Sequence, residues 1–153
     1  MRLIVIALFT AGFALPAGDP TGFSMWKASE LKGFSKSLAP KMDEQKLASQ
    51  VLTNFGNYTF QVAHREATGI AEFHATQADI FFVQSGEATL VVGGEVVDGK
   101  TTAPNEIRGP SIKNGVEKKL AAGDVVTIPV KTPHQLKLAP GKEFTYFVVK
   151  ITQ

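Results

Sequence analysis

The chain has 153 residues, 44% hydrophobic and 20% charged, with a formal net charge of +2 and no cysteine. That length supports one domain with a core of its own, and the lack of cysteine excludes disulfides, thiolate metal ligands and cysteine nucleophiles. Lysine and arginine are scattered, with no basic stripe interleaved with aromatics, so nucleic acid is not an expected partner.

Met1-Arg2 and the apolar run Leu3 to Leu15 have the charged start and short hydrophobic core of a secretory signal. Gly12, Ala14 and Ala17 offer small residues for cleavage, and Gly18-Asp19-Pro20 supplies a polar stop. The run is too short for a stable membrane span, which needs about 20 apolar residues. Residues 1–17 are therefore read as a signal peptide, and the mature protein as secreted or periplasmic. The alternative is an N-terminal strand or a lipid-side helix.

In residues 18–54, Lys27 to Leu31 and Met42 to Leu52 carry helix formers, with Ser29 and Asp43 at polar starting positions and Pro40 ahead of the second stretch. This pattern predicts short helices packed on the outside of the domain that follows. From residue 55 to the C-terminus the texture changes to short β-branched and aromatic runs split by Gly56-Asn57, Gly86, Gly93-Gly94, Asn114-Gly115, Gly123-Asp124 and Pro140-Gly141. Strands at that spacing, without helical periods between them, predict an antiparallel barrel or sandwich.

Alternation along these strands sorts the side chains that carry chemistry, because residues i and i+2 share a face. Ile70, Glu72 and His74 point one way, Asp79 shares a face with Phe81 and Val83, and His134 shares one with Leu136 and Leu138. Ionisable groups on apolar faces predict an enclosed interior, where carboxylates must be paired, neutralised or bound to a cation. Two imidazoles with one or two carboxylates form the ligand set of open Fe(II), Mn(II) or Zn(II) sites, so Glu72, His74, Asp79 and His134 are the candidate metal ligands. The carboxylates harden the site, favouring a divalent Mn, Fe or Zn over Cu. The plainer alternative is a pair of core histidines hydrogen-bonded by neighbouring acids.

Candidate substrate contacts follow from the same alternation. Phe81 and Leu136 share faces with the ligands, and His64 shares a strand face with Tyr58, Phe60 and Val62, which makes Phe60 and His64 candidates for the same cavity. His64 also has the ordinary reading of a hydrogen-bonded core residue, and Arg65, on the opposite face, that of a surface or helix-packing cation. The stretch from Gly99 to Gly115 is long for a connection and reads as a lip over the cavity or a surface excursion, with Glu106 and Arg108 as its contacts. Gly94, four residues, then Gly99-Lys100-Thr101 fits the letters of a phosphate-binding loop, but Pro104 and Gly109-Pro110 follow where that loop must open a helix, so nucleotide binding is not expected.

Two segments carry a family resemblance: Glu72-Phe73-His74, four residues, Asp79, six residues, Gly86; and Gly123, five residues, Pro129, four residues, His134. They resemble the two motifs of the cupin superfamily, which run Gly, five residues, His-x-His, three or four residues, Glu, six residues, Gly, and Gly, five residues, Pro-x-Gly, two residues, His, three residues, Asn. Glu72 stands at the first histidine, His74 at the second, Asp79 at the glutamate, Lys131 at a glycine, Leu138 at the asparagine and Glu66 at the opening glycine. The resemblance covers about residues 55 to 151 and implies an all-β fold, an antiparallel double-stranded β-helix (cupin or jelly-roll barrel) with short N-terminal helices, and pairing into a homodimer. It leaves three functions open: a metal enzyme acting on a small molecule, a barrel that binds a small molecule or sugar without turnover, and a structural β-domain.

Overall fold

The computed structural model describes residues 18–153; the expected signal peptide, 1–17, lies outside them. Helix α1 (Ala28–Leu38) opens the described chain. Its first turn is closed by the Glu30 carboxylate, which accepts a hydrogen bond from the Lys27 backbone N–H at 2.7 Å, and it runs into a 3-10 turn (Ala39–Lys41) at Pro40. The remainder is β: β1 (Leu47–Asn54), β2 (Tyr58–Arg65), β3 (Ala71–His74), β4 (Gln77–Val92), β5 (Glu95–Val97), β6 (Lys100–Ala103), β7 (Glu106–Gly109), β8 (Ser111–Lys113), β9 (Val116–Ala121), β10 (Val125–Ile128), β11 (His134–Lys137) and β12 (Phe144–Thr152).

The predicted all-β antiparallel architecture is what forms, and β4 is its hinge. The first half of this 16-residue strand pairs with β12 and β10, and the second half with β9 and β11. One sheet therefore bends into two facing halves, in the order β1-β2-β12-β4-β11-β3-β7-β6, with β5 and β8 forming a separate ribbon. The bend lies at Gly86, whose φ of +81° favours glycine, and a Cβ there would collide with the backbone carbonyl of Glu143.

The core is layered. Between the halves pack Phe81, Val83, Leu90, Ile128, Leu136, Phe144, Tyr146 and Val148. A second cluster, Leu38, Ala48, Val62 and Phe147, lies on the outer face of β1, β2 and β12, where Leu31 and Phe34 of α1 cover it. The sheet at β2 and β12 is thus buried on both sides, which accounts for the run Tyr146-Phe147-Val148-Val149 within β12.

Two expectations for chain organisation are corrected. Met42 to Leu52 is no helix: after a turn held by the Asp43 carboxylate on the Gln45 and Leu47 N–H groups, the chain enters β1, which pairs with β2 along its length. The barrel therefore begins at Leu47 rather than residue 55, because sheet pairing overrides the helix propensity of a Gln-Lys-Leu-Ala stretch. The Gly99 to Gly115 stretch contains the short strands β6, β7 and β8 rather than a plain connection, and the phosphate-loop letters, Gly94 to Thr101, fall on β5, the turn after it and the start of β6, with no helix. Among the described residues no helix is long and apolar enough to cross a membrane.

Candidate metal centre

Strand register builds the centre. Glu72 and His74 are two residues apart on β3, and β11 brings His134 directly opposite Glu72. Asp79, near the start of β4, faces inward with Phe81 and Val83, all three buried. The loop into β11 is pinned by the Lys131 N–H donating to the His74 carbonyl at 2.8 Å. Lys131 has a φ of +61°, so it adopts the left-handed conformation for which the cupin motif uses glycine.

These four side chains each offer one ligand atom, all within 4.8 Å of one another. Nε2 of His74 lies 3.6 Å from Glu72 Oε2 and 3.5 Å from Asp79 Oδ2, and Nε2 of His134 lies 3.5 Å from each of the same oxygens. Ligands about 2.1 Å from a tetrahedral ion stand about 3.4 Å apart, close to these separations.

The tautomers agree with that fit. His74 Nδ1 faces both oxygens of Glu106 at 2.6 and 2.8 Å, and His134 Nδ1 faces the Thr132 carbonyl at 3.1 Å. Each Nδ1 must carry the proton it donates, which leaves each neutral ring with its Nε2 lone pair directed at the centre. Nε2 of His134 is buried and, among the described residues, has no hydrogen-bond partner, an arrangement that is costly unless something else occupies the lone pair. The donor set therefore fits a divalent metal.

Electrostatics point the same way. Burial alone would raise the pKa of Glu72 and Asp79, but the two imidazoles, with Arg108 beside Glu72 and Lys150 beside Asp79, hold both carboxyls well below their usual range. Burial favours a neutral His74, yet Asp79 and Glu72 outweigh it and raise the ring to about 9; His134 is raised for the same reason. Without a metal, the carboxylates draw protons onto the imidazoles instead.

Every acid here has a cross-strand partner. Glu72 lies opposite Arg108 and His74 opposite Glu106 in the β3–β7 pair, and Asp79 lies opposite Lys150 in the β4–β12 pair. Arg108 forms ion pairs with Glu72 and with Glu106, the latter at 2.9 Å. The Lys150 ammonium donates to both Asp79 oxygens at 3.0 and 2.9 Å and to His74 Nε2 at 3.2 Å, so it sits at the edge of the ligand cluster.

Next to the cluster is a cavity of about 150 Å³, lined by Arg65, Phe81, Arg108, Tyr146 and Lys150 beside Glu72 and Asp79. Of the expected substrate contacts, Phe81 and Arg108 reach it, and Leu136 lines a smaller adjoining recess with His134 and Arg65. Phe60 and His64 do not. Phe60 stacks on Phe147 beneath α1 and His64 bonds to Thr145, because their shared face of β2 is the outer one, apolar on account of the helix that covers it. Arg65, expected at the surface, is instead 6% exposed on the inner face. Sequence reasoning missed Lys150 as well, although the alternation Tyr146, Val148, Lys150 places it on the inner face of β12.

No protein-family model and no curated protein matches the chain. Solved structures do. A Klebsiella pneumoniae protein with a double-stranded β-helix domain is 18% identical, over 72% of this chain and 80% of that one, with a TM-score of 0.53. A cupin-2 domain protein from Rhodospirillum rubrum is 16% identical, over 71% and 62%, with a TM-score of 0.52. A recombinant oxalate oxidase in complex with glycolate is 16% identical, over 90% and 62%, with a TM-score of 0.55. With the bent antiparallel sheet and motif residues converging at its centre, the chain has the double-stranded β-helix fold of the cupin superfamily.

Proposed function

We propose that the protein binds one divalent metal through Glu72, His74, Asp79 and His134 and acts on a small anionic molecule in the adjoining cavity. The observation that carries this reading is the buried, unpartnered Nε2 of His134, facing the same two carboxylate oxygens as Nε2 of His74. Two imidazoles and two carboxylates suit Mn, Fe or Zn better than Cu.

The cavity supports an anion. Arg65, Arg108 and Lys150 line it, and Arg65, among the described residues, has no carboxylate partner within ion-pair distance. A buried guanidinium without a counter-ion is costly, and a bound carboxylate would relieve it with two parallel hydrogen bonds. The likeness to an oxalate oxidase holding glycolate supports small acids as the class to test.

A bound metal would supply Lewis acidity. The chain's own groups divide the remaining work. Arg65 and Arg108 orient the anion, Phe81 and Tyr146 narrow the cavity, and Glu106 fixes the His74 ring through Nδ1. Lys150 holds a proton-bearing nitrogen between Asp79 and His74.

A second reading is binding without turnover. Four protein donors already complete a tetrahedron, and Lys150 supplies positive charge at its edge. Metal content of protein purified without chelator or affinity metal, followed by a screen of small carboxylic acids for metal-dependent oxidation, decarboxylation or isomerisation, separates the two. Metal with turnover supports the first reading; acid or sugar binding without turnover, with or without metal, supports the second; absence of metal rejects the first.

We further propose export with loss of the N-terminal segment, supported by Arg2 and the apolar run to Leu15, and pairing of two copies, supported by Phe82 and Val125, cross-strand partners that are 42% and 58% exposed. The N-terminal sequence of the mature protein and its mass in solution test these two points.

A further inference from the structure

A second constellation lies outside the cup. His64 and Glu66 are two residues apart near the end of β2, and Thr145 of β12 lies opposite His64. Carried past Phe144 opposite Arg65, the same register sets Glu143 opposite Glu66. One face of two adjacent strands therefore holds an imidazole, a hydroxyl and two carboxylates, on the opposite side of the sheet from Ala63 and Tyr146.

The chemistry there is unbalanced. Glu66 and Glu143 are like charges in a cross-strand position, which is unfavourable unless a cation lies between them. His64 is fully buried, its Nδ1 is 2.8 Å from Thr145 Oγ1, and its Nε2 has no hydrogen-bond partner among the described residues. That Nε2 lies 3.7 Å from Glu66 Oε1, and one ligand atom from each of His64, Glu66 and Glu143 falls within 4.8 Å of the others. The carboxylates open onto a recess of about 270 Å³, with Lys142 the one cationic side chain lining it.

We propose that His64, Glu66 and Glu143 form a second divalent-cation site, of the zinc type, with solvent completing the coordination sphere. Thr145 holds the ring through Nδ1, and with Nδ1–H donating to its hydroxyl the Nε2 lone pair would face the carboxylates. Three protein ligands and a water are an ordinary set for zinc, and about 3.4 Å between donors matches the His64–Glu66 separation closely. Such an ion clamps the ends of β2 and β12 and removes the repulsion between the two glutamates. The site shares no residue with the cup, so it stands whether or not the cup holds a metal.

The test is a Zn(II) titration of the wild-type protein and of Glu66→Gln/Glu143→Gln, which alters only exposed carboxylates and keeps their shape. The chain has 3 histidines, so nitrogen NMR of histidine-labelled protein resolves each ring. The double variant is expected to bind one equivalent of zinc fewer than wild type, and zinc should move the wild-type His64 Nε2 resonance to a metal-bound position. Equal zinc uptake by both proteins, or a His64 resonance that ignores excess zinc and follows pH alone, overturns the proposal. The NMR arm uses wild-type protein and survives any folding defect in the variant.

Discussion

The ammonium of Lys150 lies 2.9 Å from Oδ2 of Asp79, the same oxygen that faces Nε2 of both histidines at 3.5 Å. A metal ion and this lysine therefore compete for one carboxylate. Asp79 is 1% exposed, so it needs a positive partner: the metal, this lysine or a protonated imidazole.

Removing the lysine separates those roles. In metal-free protein, Lys150→Met should destabilise the fold by less than about 3 kcal/mol, the lower end of the cost of leaving a buried charge unpaired, because the protonated imidazoles stay beside Asp79. Saturating Mn(II) should restore most of that loss, and Mn(II) affinity should rise about tenfold, or about 1.4 kcal/mol. Urea unfolding with and without Mn(II) measures both. A variant equally unstable in metal would show that Lys150 is only a structural partner.

Glu106 was visible in the sequence only as a polar contact of a long connection; as the residue opposite His74 it sets that ring's tautomer. Glu106→Gln should weaken metal binding about 10- to 100-fold, the usual cost of losing an outer carboxylate, and should cost the metal-free protein about 1 to 2 kcal/mol through its weakened contacts with His74 and Arg108. Competition against a chelator of known affinity reads the change.

The pH response of the metal-free protein follows from the shifts at the centre. His74 is raised to about 9, so its contribution is fully present below its unfolded value near 6.5 and is lost as pH climbs through about 9. Glu72 and Asp79 are lowered, so their contribution is present above the ordinary carboxylate range and is lost as pH falls through their depressed values. Stability should therefore peak between about pH 5 and 6.5 and decline on both sides. Metal affinity should run the other way, rising from pH 6 to 9 as the imidazoles give up their protons. Denaturant midpoints across that range, with and without Zn(II), check both slopes.

The spacing of the two motifs was enough to place Glu72, His74, Asp79 and His134 on faces that converge, because strand alternation has a strict period of two. It could not tell which face of β2 is interior. Both faces are apolar, one against the barrel core and one against α1, so alternation alone offers Phe60 and His64 to the cavity and Arg65 to the outside; Phe60 and His64 lie on the outer face, His64 in its ordinary reading as a hydrogen-bonded core residue, and Arg65 lies on the inner one. Met42 to Leu52 misled for a different reason: its residues favour helix locally, and only pairing with β2, distant in energy terms from any local signal, makes Leu47–Asn54 a strand. Register across strands was equally hidden. Arg108 opposite Glu72, Glu106 opposite His74 and Lys150 opposite Asp79 are pairings that no single segment reveals.

Glu72 is the residue at which the centre departs from the three-histidine set of the cupin motifs, and changing it tests metal binding most directly. Glu72→Gln keeps the shape and removes the charge, and Glu72→His restores an imidazole at that position. Titrated with Mn(II), Zn(II) and Cu(II), Glu72→Gln should lose more than about 100-fold in Mn(II) affinity, beyond the cost of an outer partner, and Glu72→His should shift preference toward Cu(II). Unchanged uptake in Glu72→Gln, together with an unchanged order of preference in Glu72→His, would contradict a metal held by Glu72, His74, Asp79 and His134.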